Sequence, residues 1–220
     1  HSHSDFTLPG DPEASGKVLQ GVTTEVVGNC GLGLWPANEQ VERFYALLSP
    51  MIFGEPGGGC FADLDAYRAR LEGQGVSVNV AALVPHGNVR CAVMGLEERE
   101  AKPGEIARMQ QIVGAAMGQG AFGLSTGLVY APGAYAATEE IIDLARIVAQ
   151  HGGIYATHMR DEGARLVPAV EEALRIGRAA RVSVQISHHK AAGRFNWGKV
   201  KKTLAMIDRD SRNVMTIEDP

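Results

Sequence analysis

Histidine closes two short apolar runs, Gly153-Ile-Tyr-Ala-Thr-His158 and Val184-Gln-Ile-Ser-His188-His189, and His158 and His188 stand thirty residues apart. Imidazole carries protons near neutrality and is a common metal ligand. Thirty residues is about the length of one strand–helix repeat. In a parallel barrel that spacing puts the two side chains on neighbouring strand ends, where such folds build their sites. The chain opens on His1-Ser-His3-Ser-Asp5. On an extended backbone His1 and His3 point the same way and can offer two nitrogens to one ion. A further run, Gly21-Val-Thr-Thr-Glu-Val-Val, leads into Gly28-Asn29-Cys30-Gly31. A cysteine between small residues can approach a metal closely, and zinc takes thiolate and imidazole together. These residue types in these positions point to a metal-dependent enzyme.

Strand and helix signals alternate along the chain, as they must to carry those residues. Strands are expected through His3, over 22–27, 76–84 and 121–126, before His158 and His188, and over 214–217. One helical pattern begins at Pro103, a favourable first-turn residue, and carries Ile106, Met109, Ile112, Val113 and Met117. Another follows Thr138 with Ile141, Ile142, Leu144 and Ile147 and stops at Gly152-Gly153. Two more are expected over about 162–179 and 197–208. Repeated strand–helix units with near-continuous apolar strands imply a parallel sheet. Seven strand candidates fall one short of a (β/α)₈ barrel of ~250 residues. The expectation is therefore an α/β protein, a TIM-type (β/α)₈ barrel cut before its last strand–helix unit, with residues 1–220 as one partial barrel domain.

A formal charge of -4 and the lack of a basic stripe with interleaved aromatics argue against nucleic-acid binding. No apolar run approaches the ~20 residues of a membrane span. Three cysteines without CxxC spacing do not make a disulfide framework, so a cytoplasmic location is expected. The first residues read as the inside of a strand and lack a methionine, so the natural chain is expected to begin upstream. His86, in a Pro-His-Gly turn, reads as structural, and His151 as a helix C-terminal residue facing the dipole. Cys60 and Cys91 read as unpaired thiols. The glycine-rich stretch Gly54 to Gly59 has no following lysine and reads as a loop rather than a phosphate cradle.

Further motifs complete an ordered series: Pro85-His86-Gly87-Asn-Val-Arg90, Gly123-Leu-Ser-Thr-Gly-Leu-Val-Tyr130-Ala-Pro132-Gly, Thr157-His158-Met-Arg160-Asp-Glu162 and Ser187-His188-His189-Lys190. With the His1 and Cys30 segments, they run through essentially the whole chain. The series resembles the D-aminoacylase (N-acyl-D-amino-acid deacylase) branch of the amidohydrolase superfamily. That resemblance implies a zinc ion held by Cys30, His158 and His188, with His1 and His3 at a second, weaker metal position. It also implies that Arg160 and Lys190 line the pocket as cations for a substrate carboxylate. Strict alternation groups His189 with Gln185 and Ser187 and favours it as the inward residue; the family pattern favours His188.

The activity implied is zinc-dependent hydrolysis of N-acyl-D-amino acids, in which zinc lowers the pKa of bound water from ~15.7 to about 7. The family's catalytic aspartate follows the eighth strand, beyond Pro220, and Asp219 is no substitute for it. The flanking β-sandwich of the family is likewise expected outside these residues, so residues 1–220 alone are expected to be nearly inactive. A hydantoinase- or dihydropyrimidinase-like enzyme is the nearest rival, but such sites use a carboxylated lysine, and none stands at the fourth strand's end. A non-catalytic barrel scaffold is the rival from another class. The partner implied is a small-molecule substrate, and the sequence does not indicate an oligomeric state.

Overall fold

The computed structural model describes residues 1–52, 59–210 and 214–217. Six parallel strands make one open sheet in chain order: β1 (Thr24–Val27), β2 (Asn79–Pro85), β3 (Gly123–Gly127), β4 (Ile154–His158), β5 (Ser183–Ser187) and β6 (Val214–Ile217). Gly127 lies opposite His158, and Thr157 opposite Ile186. Neighbouring strands thus end at nearly one level, and their C-terminal residues share a rim. Burial deepens toward that rim: Ser183 at the start of β5 is exposed, and the four residues after it are buried.

The helices are α1 (Ser15–Val18), α2 (Glu39–Ile52), α3 (Leu64–Gln74), α4 (His86–Met94), α5 (Pro103–Gly118), α6 (Thr138–Gln150), α7 (Leu166–Ala180) and α8 (Lys199–Arg209). Helices α5 to α8 pack side by side. Leu166, Ala169, Val170, Ala173, Leu174 and Gly177 of α7 are buried, the three-and-four spacing of one helix face. Each fully buried Leu or Ile contributes about 1.5–3 kcal/mol. A Cβ on Gly177 would come within 2.5 Å of Val184 Cγ2, so the bare glycine sets how closely α7 approaches β5.

Two expectations change. Among the described residues there are six strands, not seven, because His1 to His3 form no strand. Ser2 N–H donates to Val26 O at 3.1 Å, and the chain then enters a 3₁₀ turn over Ser4–Phe6. That turn stops the ladder after one hydrogen bond. Helices α2, α3 and α4 also stand where no helix was expected. His151 does cap its helix, with Nδ1 3.0 Å from Ile147 O. Cys60 and Cys91 are free, and burial pushes both thiols up to about 11, with Glu42 adding to the effect on Cys60. Residues 54–58 of the glycine-rich stretch, and Asp219, lie outside the described residues. No helix among the described residues is long and apolar enough to cross a membrane.

A buried ionic group ties α4 to α6. His86 Nε2 is 2.8 Å from Glu140 Oε1, Arg90 Nη1 donates to Glu140 Oε2, and Arg90 Nη2 donates to Arg99 O. Burial works against ionising Glu140, but the His86 hydrogen bond and the charges of His86 and Arg90 outweigh it and hold the carboxyl below its usual range. Removing one member strands the others without a partner, which costs about 3–5 kcal/mol. Glu140→Ala in the full-length protein is therefore expected to lose that much in urea unfolding at pH 7. A depressed folded pKa stabilises above the unfolded value near 4.5 and is lost as pH falls through the folded value, so the gap should shrink in acid. A loss under 1 kcal/mol at pH 7 contradicts this account.

Candidate metal centre

Cys30 follows β1 in a 3₁₀ turn, Asn29–Gly31, with φ 55° and ψ 24°. A left-handed conformation is costly for a residue with a side chain and persists only where its surroundings impose it. Here Gly28 and Gly31 flank it with φ of 74° and 70°. Asn29 Nδ2 donates to Val26 O at 2.7 Å and to Ser2 O at 3.2 Å, which pins the N-terminal segment to the turn. Gly31 N–H donates to Ser125 Oγ at 3.0 Å, and that hydroxyl donates to Gly28 O. A Cβ on Gly127 would lie 2.1 Å from Cys30 O, and one on Gly87 2.5 Å from Gly31 O. The turn passes between β3 and α4 only because both present bare backbone.

The histidines arrive from different elements. His158 is the last residue of β4, and its carbonyl accepts from Leu128 N–H at 3.0 Å. His188 follows β5 with φ 38°, also left-handed. That twist breaks the strand's alternation. It turns His188 toward Cys30 and sends His189 outward, where Nε2 meets Thr203 Oγ1 of α8 at 2.9 Å. Cys30 Sγ is 3.5 Å from His1 Nε2 and 3.6 Å from His188 Nε2. The His158 and His188 rings lie 4.3 Å apart, and those of His1 and His3 5.7 Å apart.

Two sets of donor atoms converge within 4.8 Å, Cys30–His158–His188 and His1–His3–Cys30, with Cys30 common to both. In a tetrahedral zinc site, with Zn–S near 2.3 Å and Zn–N near 2.0–2.1 Å, sulfur and nitrogen sit about 3.6 Å apart. Both Sγ–Nε2 separations match, so the residues fit a zinc ion, and the shared sulfur lets two ions lie side by side.

Around these donors, Glu162 Oε1 is 2.7 Å from His188 Nδ1 and 3.7 Å from His158 Nε2. Glu162 Oε2 is 2.6 Å from Lys190 Nζ. Burial opposes the charge on Glu162, yet the close His188 and Lys190 contacts, with the charges of His158 and His188, lower its pKa to about 2. Tyr130 Oη lies 3.2 Å from His158 Nδ1. Lys190 sits half-exposed at the rim. Arg160 lies elsewhere: Nε and Nη2 grip Glu172 at 3.0 and 2.9 Å, while Nη1 and Nη2 donate to Ala134 O and Ala136 O. Sequence reasoning passed over Glu162 and Tyr130 as site residues. The available signal for Glu162 was an acid four positions after His158.

No family model matches the chain. It is 45% identical over 213 residues to a D-aminoacylase of Alcaligenes xylosoxydans xylosoxydans, covering 94% of this chain and 42% of that protein. Its relatives at 39–45% identity are D-aminoacylases and N-acyl-D-amino-acid deacylases, and its structural neighbours are D-aminoacylase amidohydrolases. A solved D-aminoacylase, described for its binuclear metal centre, superposes with a TM-score of 0.89 at 42% identity, over 100% of this chain and 45% of its own. The N-acyl-D-glutamate deacylase of Bordetella bronchiseptica, solved with zinc and a phosphonate inhibitor, gives 0.89 at 39% identity over 98% of this chain and 45% of its own. The chain spans less than half the length of these D-aminoacylase relatives.

The two adjacent histidines provide a test. His188→Ala in the full-length protein is expected to lose most of its zinc after dialysis. His189→Ala should keep its zinc and lose about 1 kcal/mol of stability with the Thr203 hydrogen bond. Zinc lost from His189→Ala and retained in His188→Ala would reverse the assignment.

Proposed function

We propose that the protein is a zinc-dependent N-acyl-D-amino-acid deacylase whose (β/α)₈ barrel includes residues 1–220. The observation that carries this reading is the convergence of Cys30, His158 and His188 at zinc-like spacing on the C-terminal rim of a parallel sheet. His1 and His3, with Cys30 shared, are the proposed second position. Bound zinc supplies Lewis acidity, polarising an amide carbonyl and lowering the pKa of water toward ~7.

The chain's own residues prepare that chemistry. Cys30 serves as thiolate, the form in which cysteine ligates metal. Glu162 Oε1 lies 2.7 Å from His188 Nδ1, and His188 Nε2 faces Cys30 Sγ. The Lys190 ammonium, half-exposed beside the donors, is placed to receive a substrate carboxylate. Arg160 was expected to share that task. Its guanidinium is engaged by Glu172 and two loop carbonyls, so we assign it to bracing the 134–136 loop instead. The proton-transferring aspartate is assigned to sequence beyond Pro220. Three cysteines outside any disulfide suit a reducing compartment such as the cytoplasm.

The full-length, zinc-loaded protein is expected to hydrolyse N-acetyl-D-amino acids at least 100-fold faster than their L-enantiomers, following acetate release. A chelator should abolish the activity and zinc should restore it. No hydrolysis across acidic and apolar D-side chains, or equal rates on both enantiomers, overturns the reading.

A further inference from the structure

We propose that Glu162 is the positioning residue of this centre, setting the tautomer of His188 against a competing donor, Lys190. The inference rests on the zinc-site reading above and adds a role for a residue outside the converging donor sets.

His188 Nδ1 has two neighbours of opposite character. Glu162 Oε1, an acceptor, is 2.7 Å away; Lys190 Nζ, a donor, is 3.2 Å away. A neutral imidazole carries one N–H, and the bond made by one nitrogen decides which atom holds it. If Nδ1 donates to Glu162, Nε2 keeps a lone pair and faces Cys30 Sγ at 3.6 Å. If Nδ1 accepts from Lys190, the proton moves to Nε2 and blocks the atom that would bind metal. Lys190 therefore threatens the productive tautomer, and Glu162 defeats the threat twice. It is the nearer neighbour of Nδ1, and its other oxygen holds Lys190 Nζ at 2.6 Å.

Glu162 is suited to this part and not to ligation. Its side chain is 12% exposed, so the His188 contact is shielded from water. Neither converging donor set includes it. Carboxylates that orient a ligating histidine through its far nitrogen typically contribute a factor of roughly 10–100 in metal affinity. The same contact makes Lys190 a shared cation, so an arriving substrate carboxylate takes over one of its hydrogens without displacing Glu162 from His188.

The test is zinc affinity of the full-length protein by chelator competition, in parent, Glu162→Ala and Glu162→Ala/Lys190→Met. Glu162→Ala is expected to bind zinc roughly 10–100-fold more weakly. The double variant should recover part of that loss, because the competing donor is gone. Nitrogen-15 shifts of His188 in chelator-treated protein should report Nδ1–H in the parent and Nε2–H in Glu162→Ala. A Glu162→Ala affinity within about twofold of parent overturns the proposal, and so does a double variant no better than the single one. These readouts use no substrate. A protein that passes them but fails to hydrolyse N-acyl-D-amino acids would sink the deacylase reading and leave the role of Glu162 standing.

Discussion

The contact between the Cys30 turn and the bare backbone of Gly127 is the constraint on which the centre depends. A parallel sheet delivers its strand ends to one rim, but β1 stops at Val27, three residues before the sulfur. The chain bridges the gap with a left-handed turn pressed so closely on β3 that a Cβ at Gly127 would stand 2.1 Å from Cys30 O. Ser125 and Asn29 satisfy the polar groups that this turn leaves buried. Asn29 also reaches Ser2 O, so the peptide carrying His1 and His3 is fastened to the same turn. One close backbone approach thus positions the Cys30 sulfur and both N-terminal imidazoles.

Two anchored carboxylates divide the remaining work. Glu140, inside the helical layer with His86 and Arg90, fixes α4 against α6 and so supports the floor under Gly87. Glu162, at the rim, faces His188, His158 and Lys190. Glu140 is buried and Glu162 partly so, and each carboxyl is held below its usual range because the partner interactions exceed the desolvation cost. Their positions separate their consequences: the first bears on folding, the second on what the imidazole nitrogens can bind.

The sequence made much of this legible because strand ends in a β–α repeat recur at regular spacing. His158 and His188 could be paired by counting, and Cys30 by its small neighbours. Local rules failed where tertiary contacts override them. Alternation along β5 pointed to His189, but the left-handed backbone at His188 reverses the parity at the strand's end. Pro85-His86-Gly87 looked like a turn, yet α4 begins there with no linker, and Gly87 serves the approach of Gly31 O rather than a turn. Helix α3 buries Leu64, Tyr67 and Leu71 along an otherwise polar stretch, too sparse a stripe to stand out. Arg160 resembled a pocket cation because its partner, Glu172, sits far along α7, where only the folded chain reveals it.

The central claim, that Cys30 and the two strand-end histidines hold zinc, is tested most directly by elemental analysis of the full-length protein and its Cys30→Ser variant. The account predicts at least about one zinc per chain in the parent and a folded variant that loses it. A folded parent without zinc, or a Cys30→Ser protein that keeps it, would contradict the claim.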